Sequence, residues 1–269
     1  MEESLTAAPP RDDLEAPLML DRRSRIAALV RQRGSVRVQE LAELFQVSPV
    51  TIRSDLAHLE QEGLLVRDRG GAVAPATRSA LIAFDQRATM NRAAKQRIGC
   101  VAASLVAPGD AILMDAGTTV VEMVPHLPRS GPLTVVTNAL NVALELRSLP
   151  EARVILLGGT VNYATFGTLG PLAEQALEGM AVTRLFLAAE TVDLAAGVTD
   201  STIEIAQIKR AMVRAARQIV LLADSSKWGR TGFIKVAPLN AIHTVVTDAG
   251  LPEDARAALE RLGVRVLIA

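Results

Sequence analysis

Residues 111–124 read AILMDAGTTVVEMV. Four apolar residues lead into Asp115, followed by Ala116, Gly117, two threonines and a second apolar stretch of helical character. That order predicts a buried strand, a loop of small residues and a helix N-terminus. Free backbone N–H groups and the helix dipole would both favour an anion such as phosphate there. Comparable apolar runs recur at Leu133–Val136, Val154–Leu157, Leu185–Ala189, Ile219–Leu222, Thr244–Val246 and Val264–Ile268, making seven expected strands with Ala111–Met114. Segments of helical length and period lie between them, among them Leu172–Met180 and Ile203–Ala216. Strands alternating with helices predict an α/β domain with a mostly parallel sheet covered by helices.

Ligands of such sheets bind beyond the carboxyl ends of the strands, so the residues at those ends are the candidate site. They are Asp115, Gly117, Thr118 and Thr119 after the first strand, Thr137 and Asn138 after the second, and Gly158 and Gly159 after the third. The fifth strand runs into LLADSSKWGRTGF, which offers Asp224, Ser225 and Lys227. Small residues let a ligand approach the backbone, and Lys227 supplies a charge for phosphate. The pattern is neither a Walker loop nor a dinucleotide fingerprint.

Upstream, the chain reads as a separate small domain. Ile26, Leu29 and Val30 share one helical face, and Gly34 follows as a helix terminator. Val38, Leu41, Ala42 and Phe45 fall at the i, i+3, i+4, i+7 spacing of a two-turn amphipathic helix. After a tight turn, Ser48 is a candidate N-cap with Pro49 at the first helical position, and Ile52, Leu56 and Leu59 form the inward stripe of a third helix ending at Gly63. LLVRDRGGAV then predicts a β-hairpin around Gly70 and Gly71. Two short helices with a tight turn, followed by a hairpin wing, make a winged helix-turn-helix.

Nine arginines stand against seven acidic residues between Asp21 and Val73, so the placement of the charges matters more than their sum. Ser48, Pro49, Thr51, Arg53 and Ser54 fall on the outer start of the third helix, where a recognition helix meets base edges. Arg67 and Arg69 flank the wing turn, where contacts go to phosphate or the minor groove.

Composition narrows the remaining classes. Of 269 residues, 49% are hydrophobic and 22% charged, which suits a soluble globular protein, and only 3% are aromatic, so aliphatic residues fill the core. The formal net charge of zero names no partner. Cys100 is the single cysteine, which excludes an internal disulfide and fits a reducing compartment. His58, His126 and His243 make no metal pattern, and neither a metal nor a cofactor is expected. No apolar run reaches the ~20 residues of a membrane span, and the first twenty residues lack the features of a signal peptide. The expected location is therefore cytoplasmic. The expected organisation is a disordered acidic tail over 1–20, a winged helix-turn-helix over 21–75, a helical linker over 76–98 and the α/β domain over 99–269.

The stretch ELAELFQVSPVTIRSDLAHLEQEGLLVRDRGGAV resembles the DNA-binding signature of the DeoR family of bacterial transcription regulators. Ser54 stands where that family often has a second arginine, and Arg69 where it usually has a histidine, so the resemblance implies an unusual operator. KQRIG, MDAGTT, TNALNVA, LLGGTV, GVTD and ADSSKWG extend the resemblance to the family's C-terminal domain. That implies a fold of the ribose-5-phosphate isomerase type and a sensor of phosphorylated sugars or polyols. Carried over by residue, it assigns Asp115, Gly117, Thr118, Thr119, Thr137, Asn138, Gly158, Gly159, Glu204 and Lys227 to the effector. In LFLAAETVDLAAGVT, Ala188, Glu190 and Thr191 replace the family's glycine, aspartate and second glycine; Glu190 keeps the negative charge on a longer arm, beside two added side chains.

The expected function is a repressor of carbohydrate or polyol catabolism genes, released from double-stranded operator DNA by its effector and working as a homo-oligomer, dimer or tetramer. Two alternatives stand beside it. One is a sugar-phosphate isomerase carrying a DNA-binding module, with Glu190, Glu204, Asp115 or Asp224 as the carboxylate base. The other is a DNA-binding regulator that takes no ligand.

Overall fold

The structure, a computed structural model, describes residues 12–33, 35–68, 70–73 and 84–269. Residues 1–11 of the expected tail, Gly34, Arg69 and the stretch 74–83 lie outside the described residues. The chain divides into two compact units, Met1–Ala83 and Phe84–Ala269.

The first unit opens with α1 (Asp12–Arg33), which starts inside the stretch expected to be tail. Arg31 and Arg33 lie in its last turn, where the helix dipole favours cations. β1 (Ser35–Arg37), α2 (Val38–Phe45), α3 (Pro49–Gln61), β2 (Val66–Asp68) and β3 (Gly71–Val73) follow. The strand β1 joins the expected hairpin as a third member, in the antiparallel order β1-β3-β2. Ile26, Val30, Leu41, Ile52, Leu56 and Leu59 are buried together, so the apolar stripes expected on the three helices meet in one core.

A buried acid, Asp55, ties two of these helices together. Its carboxylate accepts from Arg22 Nε at 2.6 Å and from Arg23 Nε at 2.8 Å. Gln46 takes a left-handed conformation at the end of α2 and makes the tight turn into α3.

In the second unit, α4 (84–89) and α5 (Arg92–Ala103) precede β4 (Ala111–Met114), β5 (Thr134–Thr137), α6 (Leu140–Glu145) and β6 (Arg153–Leu156). The short strands β7 (Thr160–Asn162) and β8 (Gly167–Leu169) form a hairpin before α7 (Pro171–Leu177) and β9 (Val182–Ala188). β10 (Thr191–Asp193), β11 (Gly197–Asp200), α8 (Ile203–Ala215), β12 (Ala216–Leu222), β13 (Ile234–Ala237), β14 (Thr244–Thr247), α9 (Glu253–Arg261) and β15 (Arg265–Ile268) complete it.

Seven strands pair in parallel in the order β15-β14-β12-β9-β4-β5-β6, one for each apolar run read from the sequence. Alternate residues of a strand point to opposite faces, and both faces are buried here. Leu185, Leu187, Ile219 and Leu221 enter one core with Ile208 and Met212 of α8 and Leu259 of α9. Phe186, Ala188, Val220 and Leu222 enter the other with Ile98 and Ala102 of α5 and Val142 of α6. The segment expected as a linker, 76–98, falls within this unit from residue 84 on, and its Ile98 is a core residue beneath the sheet.

The strand order places the site. From β4 the chain builds outward through β5 and β6, then returns to lay β9 on the other side of β4 and continues through β12, β14 and β15. The direction of winding reverses between β4 and β9, and a parallel sheet opens a crevice at the carboxyl ends of its strands at such a reversal.

Candidate functional sites

On the first unit, the Ser48 Oγ accepts the Thr51 N–H at 3.1 Å and lies 2.9 Å from the Thr51 Oγ1, which fixes the first turn of α3. Pro49 sits in the first turn. Around this capped end Pro49, Arg53 and Ser54 are exposed, opposite the buried Ile52, Leu56 and Leu59. Glu60 braces the wing by accepting the Arg67 N–H at 2.8 Å, and the Arg67 side chain is exposed. The Val38 N–H donates to the Gly70 carbonyl at 2.8 Å, holding the turn of the wing on the start of α2. Pro49, Arg53 and Ser54 are thus exposed at the capped start of α3, and Arg67 is exposed on β2 beside Glu60, near the other end of that helix. Arg69 lies outside the described residues.

On the second unit, a cavity of about 140 Å³ occupies the crevice between the ends of β4 and β9. Of the residues expected at the site, Gly117, Thr118, Thr119, Glu190 and Lys227 line it. The backbone N–H groups of Gly117, Thr118 and Thr119 donate to no protein acceptor among the described residues. The loop leads into a six-residue 3-10 helix, Val121–His126, containing Pro125, in place of the α-helix expected from the sequence. The anion-favouring feature is therefore the loop with its threonines and Lys227, without an α-helix dipole behind it. Gly117 is required by packing, since a Cβ there would lie 2.5 Å from the Ala188 Cβ.

Asp115 sits behind this loop, 1% exposed. Its carboxylate accepts the Ala116 N–H at 2.8 Å and the Ala188 N–H at 3.0 Å, joining the ends of β4 and β9. Lys209 of α8, also buried, donates to the Asp200 carboxylate at 2.7 Å and the Ala188 carbonyl at 2.9 Å, and lies 3.6 Å from the Asp115 carboxylate. Burial pushes the Asp115 carboxyl up, and the Lys209 charge and two backbone N–H groups offset only part of that. Burial pulls the Lys209 ammonium down, but Asp115 and Asp200 outweigh it and hold the group above its ordinary value. Burial also opposes ionisation of Asp200, yet Lys209 and the neighbouring hydrogen bonds leave its carboxyl below the ordinary value. Lys209 stays charged, Asp200 is its firm counter-ion, and Asp115 is the more readily protonated partner.

The remaining expected residues sit elsewhere. Thr137 donates to the Met114 carbonyl at 2.7 Å and accepts the Ala139 N–H at 3.0 Å. Asn138 accepts the Ala116 N–H at 3.1 Å and donates to the Thr168 carbonyl at 3.1 Å. Both are consumed in fastening β5 and β8 to the loop after β4, and neither lines the cavity. Gly158 and Gly159 follow β6, and at ~4.8 Å per strand that end lies about 12 Å from the crevice. Gly159, at φ 136°, makes the entry to the β7–β8 hairpin. Glu204, in the first turn of α8, is exposed and outside the cavity wall.

Asp200, Ser201, Ile205 and Lys209 line the cavity where Glu204 was expected, together with Phe84 and Arg87 of α4. The sequence did carry a signal for Lys209: it stands on the apolar stripe Ile205, Ile208, Met212 of α8, where a lysine must find buried partners. The Glu190 carboxylate, which also lines the cavity, accepts the Ser201 N–H at 2.8 Å. The cavity thus has Lys209, Lys227 and Arg87 as cations, hydroxyls of Thr118 and Thr119, and the carboxylates Glu190 and Asp200.

Residues 22–78 match the DeoR-like helix-turn-helix domain, and residues 90–249 match the DeoR C terminal sensor domain. The chain is 38% identical over 249 residues to an uncharacterised HTH-type transcriptional regulator, YulB, of Bacillus subtilis (strain 168), covering 93% of this chain and 96% of that one. It is 33% identical over 250 residues to a putative aga operon transcriptional repressor of Escherichia coli O157:H7, with 92% and 93% covered. It is 32% identical over 234 residues to the glycerol-3-phosphate regulon repressor of Escherichia coli (strain K12), with 86% and 91% covered.

Proposed function

This chain belongs to the DeoR family of transcriptional regulators, and on that premise we propose that it is a repressor whose hold on operator DNA is released by a phosphorylated sugar or polyol. The observation that carries the reading is the mixed lining of the cavity at the β4/β9 crevice. It brings the Gly117–Thr119 loop with its two threonine hydroxyls and Lys227 into one space with Glu190, Asp200 and Ser201. Cationic groups and free N–H donors suit a phosphate, and carboxylates suit the hydroxyls of a carbon chain. The names of two relatives, the putative aga operon transcriptional repressor and the glycerol-3-phosphate regulon repressor, point the same way.

Operator DNA is met by the start of α3, with Arg53 and Ser54 toward base edges and Arg67 toward the backbone. One winged helix reads too few base pairs to be selective in a genome, so the working form is a homo-oligomer. Effector binding lowers operator affinity by about 5–150-fold, the range of a coupling free energy of ~1–3 kcal/mol. The protein acts in the cytoplasm, where operator and phosphorylated metabolites meet. The relatives carry the names of regulators, and the cavity is read accordingly as a sensor site without catalytic residues, cofactor or metal.

Two substitutions separate the halves of this reading. Arg53→Ala is expected to weaken operator binding by ~1–3 kcal/mol while leaving effector binding intact. Lys227→Ala is expected to keep operator affinity and lose the response to effector. An Arg53→Ala protein that binds operator as the parent does, or a Lys227→Ala protein that still releases it, removes that residue from its assigned role.

A further inference from the structure

Phe84 and Arg87 stand at the boundary where the second unit begins, and both line the cavity. They are three residues apart on α4 and so share one helical face. Three contacts tie that face to the body of the unit. The Phe84 ring packs on Phe166 with centroids 4.7 Å apart and planes tilted by 48°. The Arg87 guanidinium donates through Nη2 to the Ala164 carbonyl. The buried Lys95 of α5 donates to the Arg87 carbonyl, fixing the backbone at that residue. Phe166 itself is held at φ 56°, a conformation few non-glycine residues adopt, in the loop of the β7–β8 hairpin that supplies these contacts.

The guanidinium is a planar fork of five donors, and the bond to Ala164 engages one of its nitrogens. Among the described residues Arg87 has no carboxylate partner, although it lines a cavity that also holds Lys227. Two cations facing one space repel each other unless an anion lies between them. An arginine fork is suited to bidentate contact with a phosphate group, and Lys227 to a point contact with the same group.

We propose that Arg87 takes the phosphate of the effector together with Lys227, and that this grip makes α4 the element through which occupancy of the cavity reaches the chain leading to the winged helix. The proposal rests on the sugar-phosphate reading of the cavity and adds to it the residue and helix that carry the signal. The phosphate adds a contact to a helix that one aromatic pair and two hydrogen bonds tie to the unit among the described residues. A binding event can shift an equilibrium only through contacts that differ between its states, and Arg87 provides such a contact at the first turns of the unit.

The test uses the full chain with inorganic phosphate as the probe, against chloride at matched ionic strength. Phosphate affinity is measured by titration, and hydrogen exchange is followed in the peptide covering residues 84–89. Folding of each variant is checked by fluorescence of Trp228, the single tryptophan, which is buried in the second unit. In the parent protein phosphate is expected to bind and to slow exchange in 84–89 by roughly tenfold. In Arg87→Ala, phosphate binding is expected to weaken roughly 10–150-fold, the span of a lost charge-assisted contact, and the slowing to vanish. Arg87→Lys is expected to restore part of both, and Arg87→Gln replaces Arg87→Ala if the latter does not fold.

Equal phosphate binding by the parent and Arg87→Ala overturns the proposal while leaving the cavity reading intact. Exchange in 84–89 that ignores phosphate in the parent overturns the role of α4. Failure of the parent to bind phosphate overturns the cavity reading itself, and this inference with it.

Discussion

Replacing Lys209 by methionine removes the only cation bonded to the buried carboxylate of Asp200 among the described residues and the charge 3.6 Å from Asp115. At an effective dielectric constant of about 20, the attraction is about 6 kcal/mol at the 2.7 Å contact and about 5 kcal/mol at the 3.6 Å contact. Most of that is offset by the cost of burying the ammonium, and removing one partner of a buried pair costs about 3–5 kcal/mol net. The Ala188 carbonyl also loses its lysine donor.

The assay is urea unfolding followed by Trp228 fluorescence, which reports on the second unit. At an m value of about 2 kcal/mol/M, the midpoint is expected to fall by roughly 1.5–2.5 M. The pH dependence is the sharper signature. Without Lys209 the folded-state pKa values of Asp115 and Asp200 both rise, so the variant loses stability as pH climbs through the ordinary carboxylate range. The parent behaves oppositely at Asp200, whose depressed carboxyl contributes stability that is lost as pH falls through its folded value. The gap between parent and variant is therefore expected to be wide at about pH 8 and to narrow toward about pH 4. An unchanged midpoint, or a gap independent of pH, refutes the roles given to this cluster.

Two further outcomes are expected. Gly117→Ala places a Cβ 2.5 Å from that of Ala188, so it is expected to abolish the effector response and spare operator binding; adding Ala188→Gly is expected to restore the response, and failure of that rescue contradicts the packing argument. Ser48→Ala removes the cap of α3 at a cost of about 1 kcal/mol, which is expected to speed hydrogen exchange at the Thr51 amide about fivefold, whereas unchanged exchange means the cap contributes nothing.

The seven sheet strands were legible because both faces of that sheet are covered, so strands such as Leu185–Leu187 and Ile219–Leu222 are written almost wholly in apolar residues. The strands β7, β10 and β11 were not, because TVN, TVD and GVTD are too short and too polar to carry a period. The strand order is not written in any one segment. Gly158-Gly159 and Gly117-Thr118 look equivalent along the chain, and only the reversal between β4 and β9 puts one at the crevice and the other two strands away. Thr137 and Asn138 belong to the right rim but spend their polar atoms on neighbouring backbone. Phe84 and Arg87 are hidden in the sequence because a helix near a domain boundary reads as a connector until its packing is seen.

Whether this protein is an effector-released repressor is decided by fluorescence anisotropy of labelled DNA from upstream of its own gene and its neighbours. The protein is titrated at fixed salt, because phosphate contacts make affinity depend on it. Phosphorylated sugars and polyols are then added beside their unphosphorylated parents. The expected result is specific binding that one phosphorylated compound reverses, by about 5–150-fold in affinity, and that its unphosphorylated parent leaves unchanged. Specific binding that no phosphorylated compound alters would contradict it.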